Sequence, residues 1–246
     1  MSIHPFATLP AALHELYASG QGDVSATAGA MLALAGRGET RPCLWARQGF
    51  LASEAGRPHP PGLREFGLDP ARLILVQARD ALSVLQAGLE GARCAGLGAV
   101  LIELWGESKA YDLTASRRLA LAAKESGTPV FLARIAAEPK ASAAETRWRV
   151  GAAPSEALAA NAPGRPVFEL TLLRARNGLQ GQRYHLEWDR DARNFTIRSA
   201  PAETRIAKPA LSGRVVSVSF DRTGGAPSFP VGFADEDVES RGARAG

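Results

Sequence analysis

The sequence predicts an α/β fold, with a mainly parallel sheet flanked by helices and with antiparallel strands or a hairpin on the C-terminal side. Continuous apolar runs at 73–76 and 97–104 are typical of strands that are covered on both faces. Over the first half of the chain, such runs alternate with segments whose apolar residues recur at helical spacing, which indicates parallel βα units. The later segments 146–150, 167–173 and 184–188 alternate polar and apolar residues, as half-exposed antiparallel strands do.

Each predicted element has a local signal. Asp80 can cap a helix in which Leu82, Leu85 and Leu89 recur at helical spacing. Either Asp112 or Thr114 can cap a further helix that ends before Gly127. The Pro-rich stretch 56–62 predicts a loop, because proline donates no backbone hydrogen bond. The remaining predictions are strands at 13–17, 43–46 and 129–133 and helices at 25–34 and 63–66.

Composition sets broad limits on function. The chain has 246 residues, 46% of them apolar, which predicts a buried core. Its net charge of +4 is mildly basic and does not by itself indicate a nucleic-acid partner. Cys43 and Cys94 stand outside any CxxC pair and are expected to be reduced. The beginning of the chain has no export signal and no apolar run approaches ~20 residues, so we expect a cytoplasmic protein without a membrane span. The four histidines show no metal-ligand spacing, so no metal site is expected.

Strand and helix signals weaken after Asp189. The sequence there is rich in Pro, Ser, Arg and Gly, with one plausible strand at 215–220. We therefore predict two parts, a domain at 1–191 and a partly disordered C-terminal extension at 192–246 that can serve as a partner-binding segment.

The order of these elements, parallel units followed by a basic hairpin, is similar to the RecA core. Within that superfamily the stretches 112–121 (DLTASRRLAL) and 145–150 (ETRWRV) and the ending 186–189 (LEWD) resemble ImuA proteins. The resemblance covers roughly 13–189. It implies a RecA-like domain and a role in bacterial mutagenic DNA repair.

The segment that matches the phosphate loop of RecA has lost its key residues. A working loop reads GxxxxGK[ST], with glycines that let backbone N–H groups reach the phosphates and a Lys that neutralises their charge. Residues 18–25 read ASGQGDVS, in which Asp23 stands at the second motif glycine and Val24 at the lysine, so that only Ser25 of the motif survives; Gly20 and Gly22 lie at its variable positions. A carboxylate repels a triphosphate, so we predict a degenerate site that does not bind Mg-ATP firmly and a chain without a cofactor.

Three further positions of this degenerate site depart from RecA. Gln48 falls where RecA has the glutamate that activates water, and an amide cannot accept a proton at neutral pH. Glu103 falls at the metal-binding carboxylate position, although we favour its interpretation as a strand-end residue at the rim of the sheet. Arg134 falls at the γ-phosphate-sensing position, where it could bind an anion or be an ordinary surface charge. An alternative, a dinucleotide fingerprint beginning at Gly20, lacks its third glycine and its acidic residue.

Two surfaces are candidates for contact with DNA. The segments that match the DNA-gripping loops of RecA, 105–112 and 136–144, carry one lysine each, Lys109 and Lys140. The second candidate is the arginine-rich late strands, whose guanidinium groups could pair with phosphates. Its residues are Arg147, Arg149, Arg174, Arg176 and Arg183.

The resemblance to ImuA implies a non-catalytic accessory protein of an SOS-induced, nucleoid-associated mutasome. Its expected partner is an ImuB-type protein, similar to Y-family polymerases, and through it an error-prone replicative polymerase and the sliding clamp. Two alternatives remain: a RecA-like ATPase that regulates recombination on single-stranded DNA, and a Rossmann-type dinucleotide-binding enzyme.

Overall fold

The computed structural model describes residues 9–36 and 40–198, and these residues build one nine-stranded sheet. The strand order is β3-β2-β4-β5-β1-β6-β7-β8-β9, in which β1 to β6 pair in parallel and β7, β8 and β9 add antiparallel partners. The predicted fold class is therefore confirmed. The strands are β1 (Leu13–Ala18), β2 (Cys43–Gln48), β3 (Leu73–Ala78), β4 (Ala99–Trp105), β5 (Val130–Ile135), β6 (Thr146–Ala153), β7 (Val167–Ala175), β8 (Arg183–Asp189) and β9 (Asn194–Arg198).

Helices connect the parallel strands. Asp80 caps α4 by accepting a 2.8 Å hydrogen bond from the Ser83 N–H, and Asp112, rather than Thr114, caps α5 by accepting one of 2.7 Å from the Ala115 N–H. Gly127 ends α5 in the left-handed conformation, as predicted. The helices are α1 (Val24–Ala35), α2 (Leu51–Glu54), α3 (Pro60–Glu65), α4 (Ala81–Ala92) and α5 (Leu113–Ser126), with short 3₁₀ turns at Gln21–Asp23, Pro70–Arg72 and Ala159–Asn161.

The core lies on both faces of the sheet because neighbouring residues of a strand point in opposite directions. One cluster joins α1 to Leu101, Phe131 and Trp148 and continues across the antiparallel strands to Trp188. The other cluster packs α4 and α5 against Leu13, Ile102, Leu104 and Leu132. Within the described ranges, no helix is both long and apolar enough to cross a bilayer.

The exposure of β3 and the end of the sheet domain differ from the expectations. The apolar run 73–76 was expected to be covered on both faces, but β3 is the edge strand, and Ile74 and Leu75 are 47% and 40% exposed. An apolar run does not reveal how many elements surround a strand, so this expectation was wrong. β9 pairs with β8 beyond residue 191, so the sheet continues past the predicted boundary. The expected strand at 215–220 and most of the C-terminal extension lie outside the described residues.

Candidate functional site

The degenerate phosphate loop joins the end of β1 to the start of α1. The Ser19 N–H donates a 2.8 Å hydrogen bond to the Val150 carbonyl of β6, which fastens the first residue of the loop to the sheet. A 3₁₀ turn at Gln21–Asp23 then leads into α1. The strand–turn–helix path that a phosphate loop requires is thus present, although the residues that bind phosphate have changed.

Asp23 bridges this loop to β6. Its Oδ1 accepts a 2.9 Å hydrogen bond from the Ala152 N–H. Its Oδ2 lies 3.7 Å from the position that a Cβ atom would take at either Gly20 or Gly151. The carboxylate therefore lies against the loop backbone, and it places a negative charge beside the start of α1, where a phosphate loop presents N–H groups to an anion.

A cavity of about 190 Å³ lies beside the loop, between α1 and the segment 55–66. Val24 and Ser25 of α1 and Glu103 of β4 line it, so the structure brings these three predicted residues together. Apolar side chains such as Leu32 and Phe66 form much of the remaining wall.

Glu103 and Arg47 form a buried ion pair at the polar end of this cavity. Arg47 Nε lies 2.9 Å from Glu103 Oε2, and the two side chains are only 3% and 1% exposed. Burial raises the pKa of Glu103, and the Arg47 guanidinium opposes that shift. Arg47 also donates a 2.9 Å hydrogen bond to the Gly56 carbonyl, which ties the loop before α3 to β2.

The buried pair overturns the interpretation of Glu103 and adds Arg47 to the candidate site. Glu103 is buried, so the description of it as a residue at the rim of the sheet was wrong. The sequence analysis gave Arg47 no role. The available signal was a charged residue inside a buried strand, since such a charge requires a partner, and β2 pairs directly with β4, where Arg47 lies opposite Glu103.

Gln48 and Arg134 also have structural partners. Gln48 Oε1 accepts a 2.9 Å hydrogen bond from the Trp105 N–H, so its amide fixes the end of β4. Arg134 is 2% exposed, with its guanidinium carbon 4.9 Å from the centre of the Tyr111 ring and one N–H donated to the Gly106 carbonyl at 3.4 Å. The interpretation of Arg134 as a surface charge was therefore wrong.

A second buried ionic cluster lies on the other face of the sheet. Glu15 of β1 has no exposed surface, and its Oε2 lies 3.0 Å from Arg147 Nε and accepts a 3.1 Å hydrogen bond from the Tyr17 hydroxyl. The Tyr111 hydroxyl donates to the other carboxylate oxygen. Burial and the adjacent carboxylate raise the pKa of both tyrosines above the ordinary range, so their hydroxyls remain protonated donors.

This cluster removes one residue from the candidate DNA surface. Arg147 is 8% exposed, and besides Glu15 it donates to the Ser142 hydroxyl at 3.0 Å. It therefore cannot reach a phosphate without breaking a buried pair, and its assignment to a DNA surface was wrong. The other arginines of this candidate surface are exposed; they are Arg149, Arg174, Arg176 and Arg183.

The two loops with single lysines are linked to each other. Glu107 Oε2 accepts a 2.8 Å hydrogen bond from Lys140, and its Oε1 accepts one of 2.9 Å from the Glu138 N–H. Lys109 is exposed. Across residues 9–36 and 40–198, no three His, Cys, Asp or Glu side chains form a group that could hold a metal ion.

The sheet, its flanking helices and the loop at the end of β1 together form the mainly parallel α/β core that the resemblance to RecA implies. Comparison with known sequences confirms the resemblance to ImuA. The chain is 36% identical over 132 residues to protein ImuA from two strains of Caulobacter vibrioides, and the match covers 49% of this chain and 52% of each relative. The chain thus spans about half the length of the curated relatives it matches. No protein-family model matches the chain.

Two solved structures are similar to parts of the chain. A RadB recombinase matches with a TM-score of 0.48 and 16% identity over 74% of this chain and 90% of that one. SulA from Pseudomonas aeruginosa matches with a TM-score of 0.39 and 24% identity over 51% of this chain and 99% of that one.

Proposed function

We propose that this chain is a non-catalytic accessory protein of a bacterial mutasome that supports error-prone translesion DNA synthesis beside an ImuB-type partner. The observation that carries the proposal is the position of Asp23. Its carboxylate is bonded to the Ala152 N–H at the loop where RecA-like ATPases hold phosphates, and Val24 supplies no compensating charge. The similarity to ImuA supports the choice of process and partner.

The remaining polar groups of the degenerate site are engaged in structural roles. Glu103 is paired with Arg47, and Gln48 is bonded to the backbone of β4. Hydrolysis requires a metal-binding carboxylate and a group that activates water, and both groups would first have to leave these partners. Two clusters of buried apolar residues surround these groups. The described residues thus keep a packed core, which an accessory protein needs if it presents surfaces to a partner.

Calorimetry with Mg-ATP tests the non-catalytic part. The expected result for the wild-type chain is no binding in the micromolar range. The double variant Asp23→Gly and Val24→Lys restores the second glycine and the lysine of the motif and provides the matched comparison. Because the loop path is intact, this variant should bind Mg-ATP more tightly than the wild type by at least tenfold, about 1.4 kcal/mol. Micromolar binding by the wild-type chain would support the alternative ATPase.

Co-purification with an ImuB-type protein tests the accessory part. We expect a complex when the two proteins are co-expressed, and we expect deletion of 199–246 to weaken it because that deletion removes most of the proposed partner-binding segment at 192–246. If the deletion leaves the yield of the complex unchanged, the binding surface lies on the sheet domain instead. If the full chain forms no complex, the proposed accessory role is wrong.

A further inference from the structure

A basic cavity lies at the edge of the sheet opposite the degenerate phosphate loop. It has a volume of about 390 Å³ and lies where β2 and β3 begin, whereas the phosphate loop follows the carboxyl end of β1. We name it the arginine cavity. Four guanidinium groups and one carboxylate line it: Arg41, Arg64, Arg72, Arg193 and Asp69.

The carboxylate of the arginine cavity is already used. Asp69 Oδ1 accepts a 3.0 Å hydrogen bond from the Ala71 N–H at the start of a 3₁₀ turn, and its Oδ2 lies 3.6 Å from Arg72 Nε. Arg72 also donates to the Thr40 carbonyl, a neutral group that leaves the charge of its guanidinium in place, and Arg41 donates to the Ala95 carbonyl at 3.1 Å. Among the described lining residues, Asp69 is therefore engaged by the Ala71 N–H and by Arg72 and does not neutralise Arg64 or Arg193.

Arg64 and Arg193 are the groups best placed to bind an anion. In the described part of the chain neither has an acidic partner, and both are exposed. They come from different elements, since Arg64 lies in α3 and Arg193 lies in the turn between β8 and β9. The cavity therefore depends on the packing of α3 against the antiparallel end of the sheet, which Trp188 reinforces through a 2.8 Å hydrogen bond from its indole N–H to the Glu65 carbonyl.

The backbone holds Arg193 across the cavity. Gly67 has φ +84°, and a Cβ atom there would lie 2.7 Å from the Gly36 carbonyl oxygen and 3.4 Å from Arg193 Cδ. The Gly36 carbonyl oxygen and the positive φ therefore require glycine at position 67, and the stem of Arg193 packs over it at van der Waals distance. Arg193 itself has φ +48°, in the left-handed region that few non-glycine residues adopt. The contact with Gly67 brings the stem of Arg193 to the cavity.

We propose that the arginine cavity binds a phosphate group of a nucleic-acid backbone. Guanidinium groups match phosphate oxygens in pairs, and Arg64 and Arg193, which reach one space from two elements, suit a phosphodiester and the sugars beside it. A volume of about 390 Å³ is far larger than a phosphate ion and lies in the range of ligand sites. Both arginines are exposed, so a continuous polymer can pass through. The described residues of the lining include no aromatic ring, so we expect binding that is insensitive to base identity.

This proposal does not depend on the accessory function and it names a different surface from the late-strand arginines. The test measures fluorescence anisotropy of a labelled oligothymidylate of about 30 nucleotides with the full chain over a range of salt concentrations. The variant Arg64→Gln and Arg193→Gln removes the two guanidiniums that have no structural partner. The control variant Arg117→Gln and Arg118→Gln removes the same charge from exposed positions on α5.

We expect the cavity variant to weaken binding by at least about tenfold and to lower the slope of log K against log salt by about 1.4, since each phosphate contact on a single strand contributes about 0.7. The α5 control should stay within about twofold of the wild type, because it keeps every phosphate contact of the cavity. Equal affinity losses in the two variants would overturn the proposal, since the effect would then be one of net charge. Circular dichroism and urea midpoints verify that both variants are folded.

Three further arms distinguish other anions and another surface. Nucleoside monophosphate or inorganic phosphate that binds the chain by calorimetry, with no oligothymidylate binding, would overturn the assignment to a polymer. Polyglutamate that binds as tightly as the oligonucleotide and loses affinity in the same cavity variant would identify an acidic polypeptide instead. A third variant, Arg149→Gln and Arg183→Gln, probes the late-strand surface. A larger loss there than in the cavity variant would also contradict the proposal.

Discussion

His14 makes the stability of the fold depend on pH. The imidazole lies in β1 with no exposed surface, and its Nε2 lies 3.1 Å from the Pro10 carbonyl and its Nδ1 lies 2.8 Å from the Thr146 hydroxyl oxygen. A neutral ring that carries its proton on Nε2 satisfies both contacts. Burial lowers the pKa of His14 from 6.5 to about 4, and the Pro10 carbonyl only partly opposes this shift.

The direction of the effect follows from which state takes up the proton. The pKa of His14 is lower in the folded chain than in the unfolded one, so between these values the unfolded state binds a proton that the folded state excludes. Stability from this group is therefore complete above pH 6.5 and is lost as the pH falls toward about 4. Lowering the pH from about 7.5 to about 5 should reduce the free energy of unfolding by ~2 kcal/mol through this residue alone.

Urea unfolding of the wild type and of His14→Gln at the two pH values isolates this contribution. The variant is expected to be less stable at neutral pH but to show a pH dependence smaller by ~2 kcal/mol. His59→Gln is the matched control, because His59 is exposed and the substitution should leave the pH dependence of the wild type unchanged. An identical pH dependence in His14→Gln and in the wild type would refute the assignment of the effect to this buried ring.

Two further predictions concern the buried cluster and the glycine contact. Arg147→Met leaves the carboxylate of Glu15 buried without its cation and should lower the free energy of unfolding by about 3 to 5 kcal/mol. Adding Glu15→Gln should recover most of that loss, and urea unfolding that shows no recovery would contradict the pairing. Gly67→Ala should destabilise the fold more than Gly178→Ala in thermal unfolding. Both glycines have φ near +85°, but only the first has a backbone atom in the way; equal losses would argue against the close contact.

Local signals in the sequence were sufficient for the class of fold and for most of its elements, although α2 and β9 were not predicted and α3 begins within the predicted loop at 56–62. Asp80 and Gly127 mark a helix start and a helix end in residues that are adjacent along the chain, so both could be identified without knowledge of the tertiary structure. The exposure of β3 could not be identified in this way, because the coverage of a strand depends on which strand occupies the edge of the sheet. Neither Ile74 nor its neighbours carry a signal for that.

The candidate site was less accessible to sequence reasoning. The changes at Asp23 and Val24 could be recognised because a phosphate loop is a contiguous motif, but the bond from Asp23 to the Ala152 N–H joins residues 129 positions apart. The same holds for Glu15 and Arg147, which lie opposite each other on adjacent strands only because β1 pairs with β6. Charges in buried strands indicate that a partner exists but do not identify it.

The central position of β1 has a consequence for biosynthesis. Among the described strands this one is synthesised first, yet one of its neighbours begins at Val130 and the other contains Thr146, which lies 132 residues after His14. At translation rates of about 5 to 20 residues per second, β1 waits roughly 7 to 26 s for its last partner. During that time its apolar side chains and backbone groups remain unpaired. A nascent chain that stops before β6 therefore has an unpaired edge of β1 where the complete sheet has its centre, and a chaperone would have to shield this edge.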